Sequence, residues 1–365
     1  MSDFPIVVVQ MLVHGEPFEE IDAMMRSLER VSYPRERWRL IIINNVKHGH
    51  DVADRIRTAW LPKSGATLPE IVFEEQRPNL GFAGGHARAF QISASFNPKY
   101  IYLLNQDAEV HPNFLSESVA YMNWNPKVAV AQSRVMLLPD TGLVNSRGNA
   151  MHFLGFGFSL GYKERYPKKD GTDGGLPAFY ASGAAVIVRK TAIDAIGGLF
   201  DPKYFLYHED TDLSWRARLA GYEIGYAEKS AVYHRYEFSK SIQKFYWMER
   251  NRHVTNFSCY KWKTILLLFP ASAVMELGTL FFAFKSGWGK EKIGSLFFLM
   301  RPSTWKWIRE RRKLITDFRK TKDAAHLRDM VGVIVNQEVD NPILARFVNP
   351  AMSAYLRAVK FIARW

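Results

Sequence analysis

The sequence predicts an α/β fold: a mostly parallel sheet flanked by helices, followed by a helical C-terminal extension that associates with membranes. Three observations carry this expectation. Over the first 240 residues short, fully apolar runs alternate with stretches of helical periodicity. Strands without a polar face must be covered on both sides, as in parallel sheets built from βαβ units. The stretch Thr264–Phe284 is almost wholly apolar, interrupted by Pro270 and Glu276. From Lys285 to Arg328 there are 13 Lys and Arg against 4 Asp and Glu, so this segment holds +9 of the chain's net +13.

The elements follow in order. Ile6–Val9 is the apolar heart of a first strand expected over Pro5–Val13. It is too short for the apolar region of a signal peptide, and Ser2 and Asp3 stand where positive residues would precede one. Ile21, Met24, Met25 and Leu28 recur at helical spacing, and Tyr33-Pro34 ends that helix. Further strands are expected at Arg39–Asn44, Ile71–Phe73, Tyr100–Leu104 and Val128–Ser133, with helices around Asp51–Ala59, Ala83–Ser95 and Asn113–Asn123 between them. Asn145–Asp173, rich in Gly, aromatic and basic residues, reads as a long functional loop region. A strand at Ala181–Arg189, a helix at Thr191–Ile196 and a last strand at Glu223–His234 complete an α/β domain over residues 1–240. Residues 241–365 form the helical region, with an apolar segment at 264–284 and a basic one at 285–328.

Composition narrows the class. With 47% hydrophobic and 23% charged residues among 365, the chain folds rather than staying disordered. A single cysteine, Cys259, excludes an intrachain disulfide and a cysteine-based zinc site. The positive balance asks for an anionic partner. Its position beside the apolar stretch favours a membrane over nucleic acid. The 21 residues of 264–284 could span a bilayer, yet lysines flank both ends (Lys261 and Lys263; Lys285, Lys290 and Lys292), against a single crossing. A second apolar patch, Ile293–Met300, runs into Trp305, Trp307, Arg309, Arg311, Arg312 and Lys313. That mixture suits helices lying in or dipping into an anionic surface. The bland alternative is a buried hairpin on the α/β domain with a solvated basic helix behind it.

Three segments carry candidate chemistry. Tyr100–Val110 is a buried strand ending in Asn105-Gln106-Asp107. Ligands of open α/β sheets bind at the carboxyl ends of strands, where a carboxylate can hold a divalent ion alongside substrate phosphates. Asp107 could equally cap the following helix. Asn79–Arg88 places Gly81, Gly84 and Gly85 at a strand-to-helix turn that permits close backbone approach to a ligand. It is neither a P-loop nor a dinucleotide fingerprint. Tyr207–Tyr222 clusters Glu209, Asp210 and Asp212 at a helix start. First-turn acids are stabilising in their own right. The aromatic lead-in Tyr204–Tyr207 would desolvate them, raising their pKa as suits a general base. His234 ends the last strand and is a metal candidate for its position alone.

In combination these motifs are recognisable. An apolar first strand, paired asparagines at 44 and 45, NLGFAGG near 80, NQD at 105–107, SGAAVIVRK near 185, FLYHEDTDLSWRARLAG near 210 and His234 occur in that order. The chain resembles family 2 glycosyltransferases of GT-A fold, especially their rhamnosyltransferase-like branch, over roughly residues 4–258. The resemblance implies a nucleotide-diphosphate sugar donor and a divalent metal, Mn²⁺ or Mg²⁺. It maps the family's DxD motif onto Asn105-Gln106-Asp107, with Asp107 on the metal and the diphosphate, and His234 completing the metal site. It maps the ED motif onto Glu209-Asp210, with Asp210 or else Glu209 as catalytic base. Donor contacts would come from Asn44, Asn79, Gly81, Gly84, Gly85, Asn105, Gln106 and Asp107. Two departures stand out. Asn44 replaces the Asp that usually meets the nucleobase, and His86 stands where Asn is common. One base without an enzyme nucleophile implies a single displacement with inversion.

The expected activity is therefore inverting transfer of a sugar, rhamnose-like among the candidates, to a hydroxyl of a lipid-linked sugar or polysaccharide. The expected location is the inner face of the cell membrane, with peripheral or monotopic attachment. Partners are the donor, that acceptor and an anionic membrane surface, with nucleic acid excluded and a homo-oligomer permitted. Competing readings are a sugar nucleotidyltransferase, a catalytically inactive scaffold and a basic phosphate- or nucleic-acid-binding protein. The first lacks its Gly-rich basic loop, since the segment after the first strand reads VHGEPFEE. The asparagines at 44 and 105 prompt the second.

Overall fold

The computed structural model describes residues 4–45, 52–167, 178–236, 244–335 and 342–365. The strands are β1 (Val7–Val13), β2 (Trp38–Asn45), β3 (Glu70–Gln76), β4 (Tyr100–Asn105), β5 (Ala108–Val110), β6 (Val128–Leu137), β7 (Val144–Ser146), β8 (Asn149–Met151), β9 (Gly157–Ser159), β10 (Ala185–Arg189) and β11 (Glu223–His234). Helices α1 (Phe18–Leu28), α2 (Ala53–Ala59), α3 (Gly81–Ser93), α4 (Phe114–Trp124), α5 (Lys190–Ala195) and α6 (Glu209–Leu219) connect them. The C-terminal region adds α7 (Phe245–Cys259), α8 (Trp262–Lys285), α9 (Gly289–Met300), α10 (Pro302–Phe318), α11 (Asp323–Asp329) and α12 (Asn349–Ile362).

The main sheet runs β3-β2-β1-β4-β10-β6-β11-β5, with β7 beside β6. Pairing is parallel from β3 to β4 and again between β6 and β11. β10 enters antiparallel to both β4 and β6, and β5 antiparallel to β11. The α/β expectation with a parallel-rich sheet therefore holds, in two parallel blocks joined by one reversed strand. Sequence periodicity marks strands but not their partners, so this reversal was not readable from it. The presumed long loop after residue 145 contains the short hairpin β8–β9 instead of being structureless.

Burial on both sheet faces explains the unbroken apolar runs. Val7, Val9, Met11 and Val13 point to one cluster with Ile21, Met24 and Leu28 of α1 and Phe114 of α4. Val8 and Leu12 point to the opposite cluster with Ala83 and Ala89 of α3 and Leu213 of α6. A third cluster joins the two halves of the chain: Phe153, Phe179, Trp215 and Leu219 meet Tyr260, Leu268, Met275, Leu356 and Val359. The boundary expected at residue 240 falls within 237–243, outside the described residues. The apolar segment lies wholly within the 24-residue helix α8. Among the described residues it is the one helix long and apolar enough to cross a membrane.

Candidate active site

Three neighbouring strands end at one edge of the sheet, because β1 pairs in parallel register with both β2 and β4. Val13 lies beside Asn44, and Leu12 beside Asn105. The loops that leave these ends bring His14 and Glu16, Asn44 and Asn45, and Asn105 to Asp107 together. The Gln106 amide donates to Glu16 Oε1 at 2.9 Å. Glu16 has a pKa above the usual carboxylate range, chiefly through burial, and Asp107 adds to the rise.

β11 brings His234 to the same edge. Its Nε2 lies 3.2 Å from Asp107 Oδ1 and 3.3 Å from the Asn105 amide. Its Nδ1 meets Asn145 Oδ1 at 3.0 Å. An amide oxygen only accepts, so Nδ1 donates to Asn145 and Nε2 is turned toward the Asp107 carboxylate. An imidazole nitrogen and a carboxylate oxygen 3.2 Å apart can both bind one metal ion. A ring whose other nitrogen is fixed by a hydrogen bond is the usual form of a histidine metal ligand. Asp107 and His234 therefore fit a divalent ion, with Glu16 close by.

The acidic motif is delivered by an unusual turn. Phe205, Tyr207 and His208 all take positive φ, between 62° and 67°, although none is glycine. Such backbone costs of order 1–3 kcal/mol per residue and persists only where its surroundings hold it. Here the holder is Asn251 of α7, fully buried, whose amide donates to the carbonyls of Tyr204, Leu206 and Tyr207 at 2.8–2.9 Å. The turn sets Glu209 and Asp210 at the start of α6 in different environments. Asp210 accepts from the Gly183 N–H at 3.2 Å and the Thr211 N–H at 2.6 Å. Glu209 is 5% exposed, and its Oε2 has no hydrogen-bond partner among the described residues. Burial raises both pKa values, and for Glu209 the neighbouring Asp210 raises it further. The N–H donors favour ionised Asp210, leaving the proton of the pair on Glu209.

Asp212, clustered with these two in the sequence, has a different job. It is fully buried between Arg216, at 2.8 Å, and Arg311. Burial alone would raise its pKa, but the two guanidiniums outweigh it and hold it low. Asp212 ties α6 to α10 and takes no part in the open site.

A short backbone segment joins the two halves of the site. Gly183 N–H reaches Asp210, and the next carbonyl, Ala184 O, accepts from Asn105 N–H at 2.9 Å. The carboxylate and the Asn105–Asp107 strand end thus share one wall.

The glycine turn is positioned differently from the expectation. Gly81 has φ +68°, and a Cβ there would sit 2.4 Å from Phe205 O. A Cβ on Gly85 would lie 2.9 Å from Asn45 Nδ2, and one on Gly84 2.9 Å from Leu80 Cβ. The close approach these glycines allow is to the chain itself, which lets α3 seat against the acidic turn and β2. Asn79 closes the turn by accepting from Gly81 N–H at 2.7 Å and approaches His14 at 3.3 Å. His86 is a core residue: burial pushes its pKa down to about 3, and Nδ1 pairs with Gln10 Oε1 at 3.2 Å.

A family model described as glycosyltransferase-like family 2 matches residues 20–256. The chain belongs to this family. Among curated relatives, a probable glucomannan 4-beta-mannosyltransferase 7 of Oryza sativa subsp. japonica is 23% identical over 228 residues, 62% of this chain and 36% of that protein. The match thus spans about a third of that relative's length. An N-acetylglucosaminyl-diphospho-decaprenol L-rhamnosyltransferase of Mycobacterium tuberculosis (strain ATCC 25618 / H37Rv) is 40% identical over 58 residues, 16% of this chain and 19% of that one. The family assignment holds broadly, whereas the rhamnosyltransferase-like branch rests on that short match. The crystal structure of GalNAc-T7 with UDP, GalNAc and Mn²⁺ has the same fold, with TM-score 0.52 and 12% identity over 70% of this chain and 48% of that one.

One further group in this family 2 chain has metal-type ligands: Glu249, His253 and Glu276 lie together. Cations of the protein already occupy it. Arg252 Nε donates to Glu249 at 2.9 Å and its Nη2 to Glu276 at 2.6 Å, and Lys292, fully buried, bonds both carboxylates. Two acids against two bases close the charge, so this is a structural network. Sequence reasoning missed Glu16, Asn145, Gly183 and Asn251. The first follows a strand end directly and could have been found by the same rule that selected Asp107. Asn145 and Asn251 act across more than 40 residues and leave no local signal.

Proposed function

We propose that the protein is an inverting, metal-dependent glycosyltransferase that moves a hexose from a nucleotide-diphosphate donor to a hydroxyl of a lipid-linked sugar or polysaccharide. The observation that carries this is the shared wall. Asp210, an ionised carboxylate with raised pKa, and the Asp107–His234 pair are linked through Gly183 and Ala184. Asp210 removes the acceptor proton as the hydroxyl attacks the anomeric carbon from the face opposite the leaving diphosphate. Glu209 stays protonated, keeping a second negative charge out of the pocket. Asp107 and His234 would hold the divalent ion, Mn²⁺ or Mg²⁺, and that ion would supply positive charge to offset the charge developing on the diphosphate. Asn44, Asn79 and Gln106 line the donor side, with the β1, β2 and β4 strand ends beneath them. Gly81, Gly84 and Gly85 set the position of that floor. The lipid-linked acceptor is supported by the relative whose name specifies a diphospho-decaprenol.

The membrane reading is supported by α8. Leu266, Phe269, Leu277 and Phe281 on its outer side are 64–75% exposed. On the inner side Glu276 bonds Arg252 of α7 and Lys292 of α9, each at 2.6 Å. A helix crossing the bilayer would have to carry those charges with it. α8 therefore lies along the inner face of the cell membrane in monotopic fashion. The test is transfer assayed with nucleotide sugars selected by thermal shift in Mn²⁺. Asp210→Asn should fold normally and abolish transfer, and wild-type turnover in that variant would overturn the reading.

A further inference from the structure

A cavity of about 420 Å³ opens between the turn before α6, α7, and the junction of α9 and α10, lined by Lys203, Arg250, Phe298, Ser303, Lys306 and Trp307. Three cations face it, against one carboxylate, Glu310. Glu310 is exposed and only 3.4 Å from Lys203, so it offsets one charge of the three. Arg250 is the unusual member. It is 6% exposed and forms no ion pair among the described residues. Its guanidinium is held by the Lys203 and Tyr204 carbonyls at 2.6 and 2.9 Å and stacks over Trp247 and Phe298 at 4.3 and 4.8 Å. Burial lowers its pKa to about 10. The other nearby carboxylate, Asp201, is taken by Arg311 at 3.0 Å and by the Trp307 indole at 2.6 Å. A buried cation without a counter-ion is costly, and an anion entering the cavity would relieve that cost.

The cavity's other wall tells where the anion comes from. Phe298 belongs to α9, whose Phe297 and Met300 are 59% and 73% exposed. α9 packs beside α8, whose outer apolar side chains are likewise exposed. An anion in the cavity thus sits at the rim of an apolar face, as the phosphate of a lipid does beside its acyl chains.

We propose that this cavity binds the phosphate of an anionic membrane lipid and so fixes how the enzyme sits on the bilayer. The same turn that carries Lys203 and Tyr204 runs on into Glu209 and Asp210, so occupancy would brace the catalytic turn from behind. This deepens the membrane part of the proposed function and rests on it.

The test is co-sedimentation of the full chain with phosphatidylcholine vesicles with and without phosphatidylglycerol. Lys203→Glu and Lys306→Glu are compared with Lys320→Glu, an exposed lysine of the same basic segment that lines no part of the cavity. Arg250 is left intact because it also holds the turn. The expected result is that both cavity variants bind phosphatidylglycerol vesicles about tenfold more weakly than the control, the scale of one lost hydrogen bond to a charged group. Equal losses in all three variants would overturn the site and leave general surface attraction. If the wild type ignores both vesicles, the membrane reading itself fails. If inorganic phosphate then raises the melting temperature of the wild type but not of Lys306→Glu, the cavity holds free phosphate and the lipid assignment is wrong.

Discussion

Two pairs of carboxylates in this protein, each with one buried and one half-buried member, are made of the same chemistry and do opposite things. Glu209 and Asp210 meet at the start of α6 without a cation partner among the described residues, and burial pushes both pKa values up. Glu249 and Glu276 meet between α7 and α8 with Arg252 and Lys292 locked between them. There burial would raise Glu249 too, but Arg252 and Lys292 outweigh it and bring the pKa down to about 2. The first pair keeps free-energy cost in an acid that can accept a proton. The second uses its charge to hold three helices. Asp212, two residues from Asp210, belongs with the second kind. What separates the kinds is where the cations stand, not how many carboxylates the motif holds.

Each kind responds to substitution in its own way. The largest effect is expected for Asp210→Asn, which should lower kcat by roughly 10²–10⁴-fold, the usual share of a general base, while the melting temperature stays near wild type. Asp212→Asn should do the reverse and cost about 3–5 kcal/mol of stability in denaturant unfolding, because two buried guanidiniums lose their counter-charge. A Glu249→Gln variant should show a loss of the same kind. If Asp212→Asn proves as stable as wild type, the distinction between the pairs collapses.

Acid unfolding sharpens the contrast further. A carboxyl with a depressed folded pKa adds stability that is full above its unfolded value of about 4.3. That stability is lost as pH falls toward about 2, the folded value of Glu249. A raised pKa works the other way, so Glu209 opposes folding increasingly as pH rises. Glu209→Gln, which removes that burden, should leave the fold as stable as wild type or slightly more so at neutral pH. The acid limb of kcat/KM should lie above the ordinary aspartate value of about 3.9, since Asp210 must be ionised to act. Glu209→Gln should leave that limb in place, because Glu209 keeps its proton while Asp210 ionises, and a limb displaced to lower pH would argue that Glu209 carries charge beside Asp210. The smallest effect is expected at the metal side: His234→Ala should leave stability nearly unchanged and raise the Mn²⁺ concentration for half-maximal transfer.

Much of this was legible in the residues. The run of Val7–Val9 and Ile41–Ile43 required burial on two faces and so a parallel-rich sheet. The position of Asp107 at a strand end pointed to a ligand site by a rule that needs no coordinates. Glu209-Asp210 after an aromatic lead-in signalled desolvation correctly. Asp212 did not, because its partner Arg311 is 99 residues away, and no periodicity connects them. In the sequence the glycines at 81, 84 and 85 point equally to room for a ligand, since a missing side chain looks the same whether a substrate or the chain's own atoms fill the space.

By itself, then, the sequence determined the fold class, the family, the strand-end carboxylates and the apolar-basic C-terminal third. These follow from local patterning and from short motifs whose chemistry is carried by the residues themselves. Only the tertiary structure decided which carboxylates are paired with cations, where burial raises a pKa, how Asn251 holds the strained turn, and that Glu276 pins the apolar helix to the body. Those outcomes depend on charges and donors brought together from distant parts of the chain. Their energies exist only once water has been excluded between them.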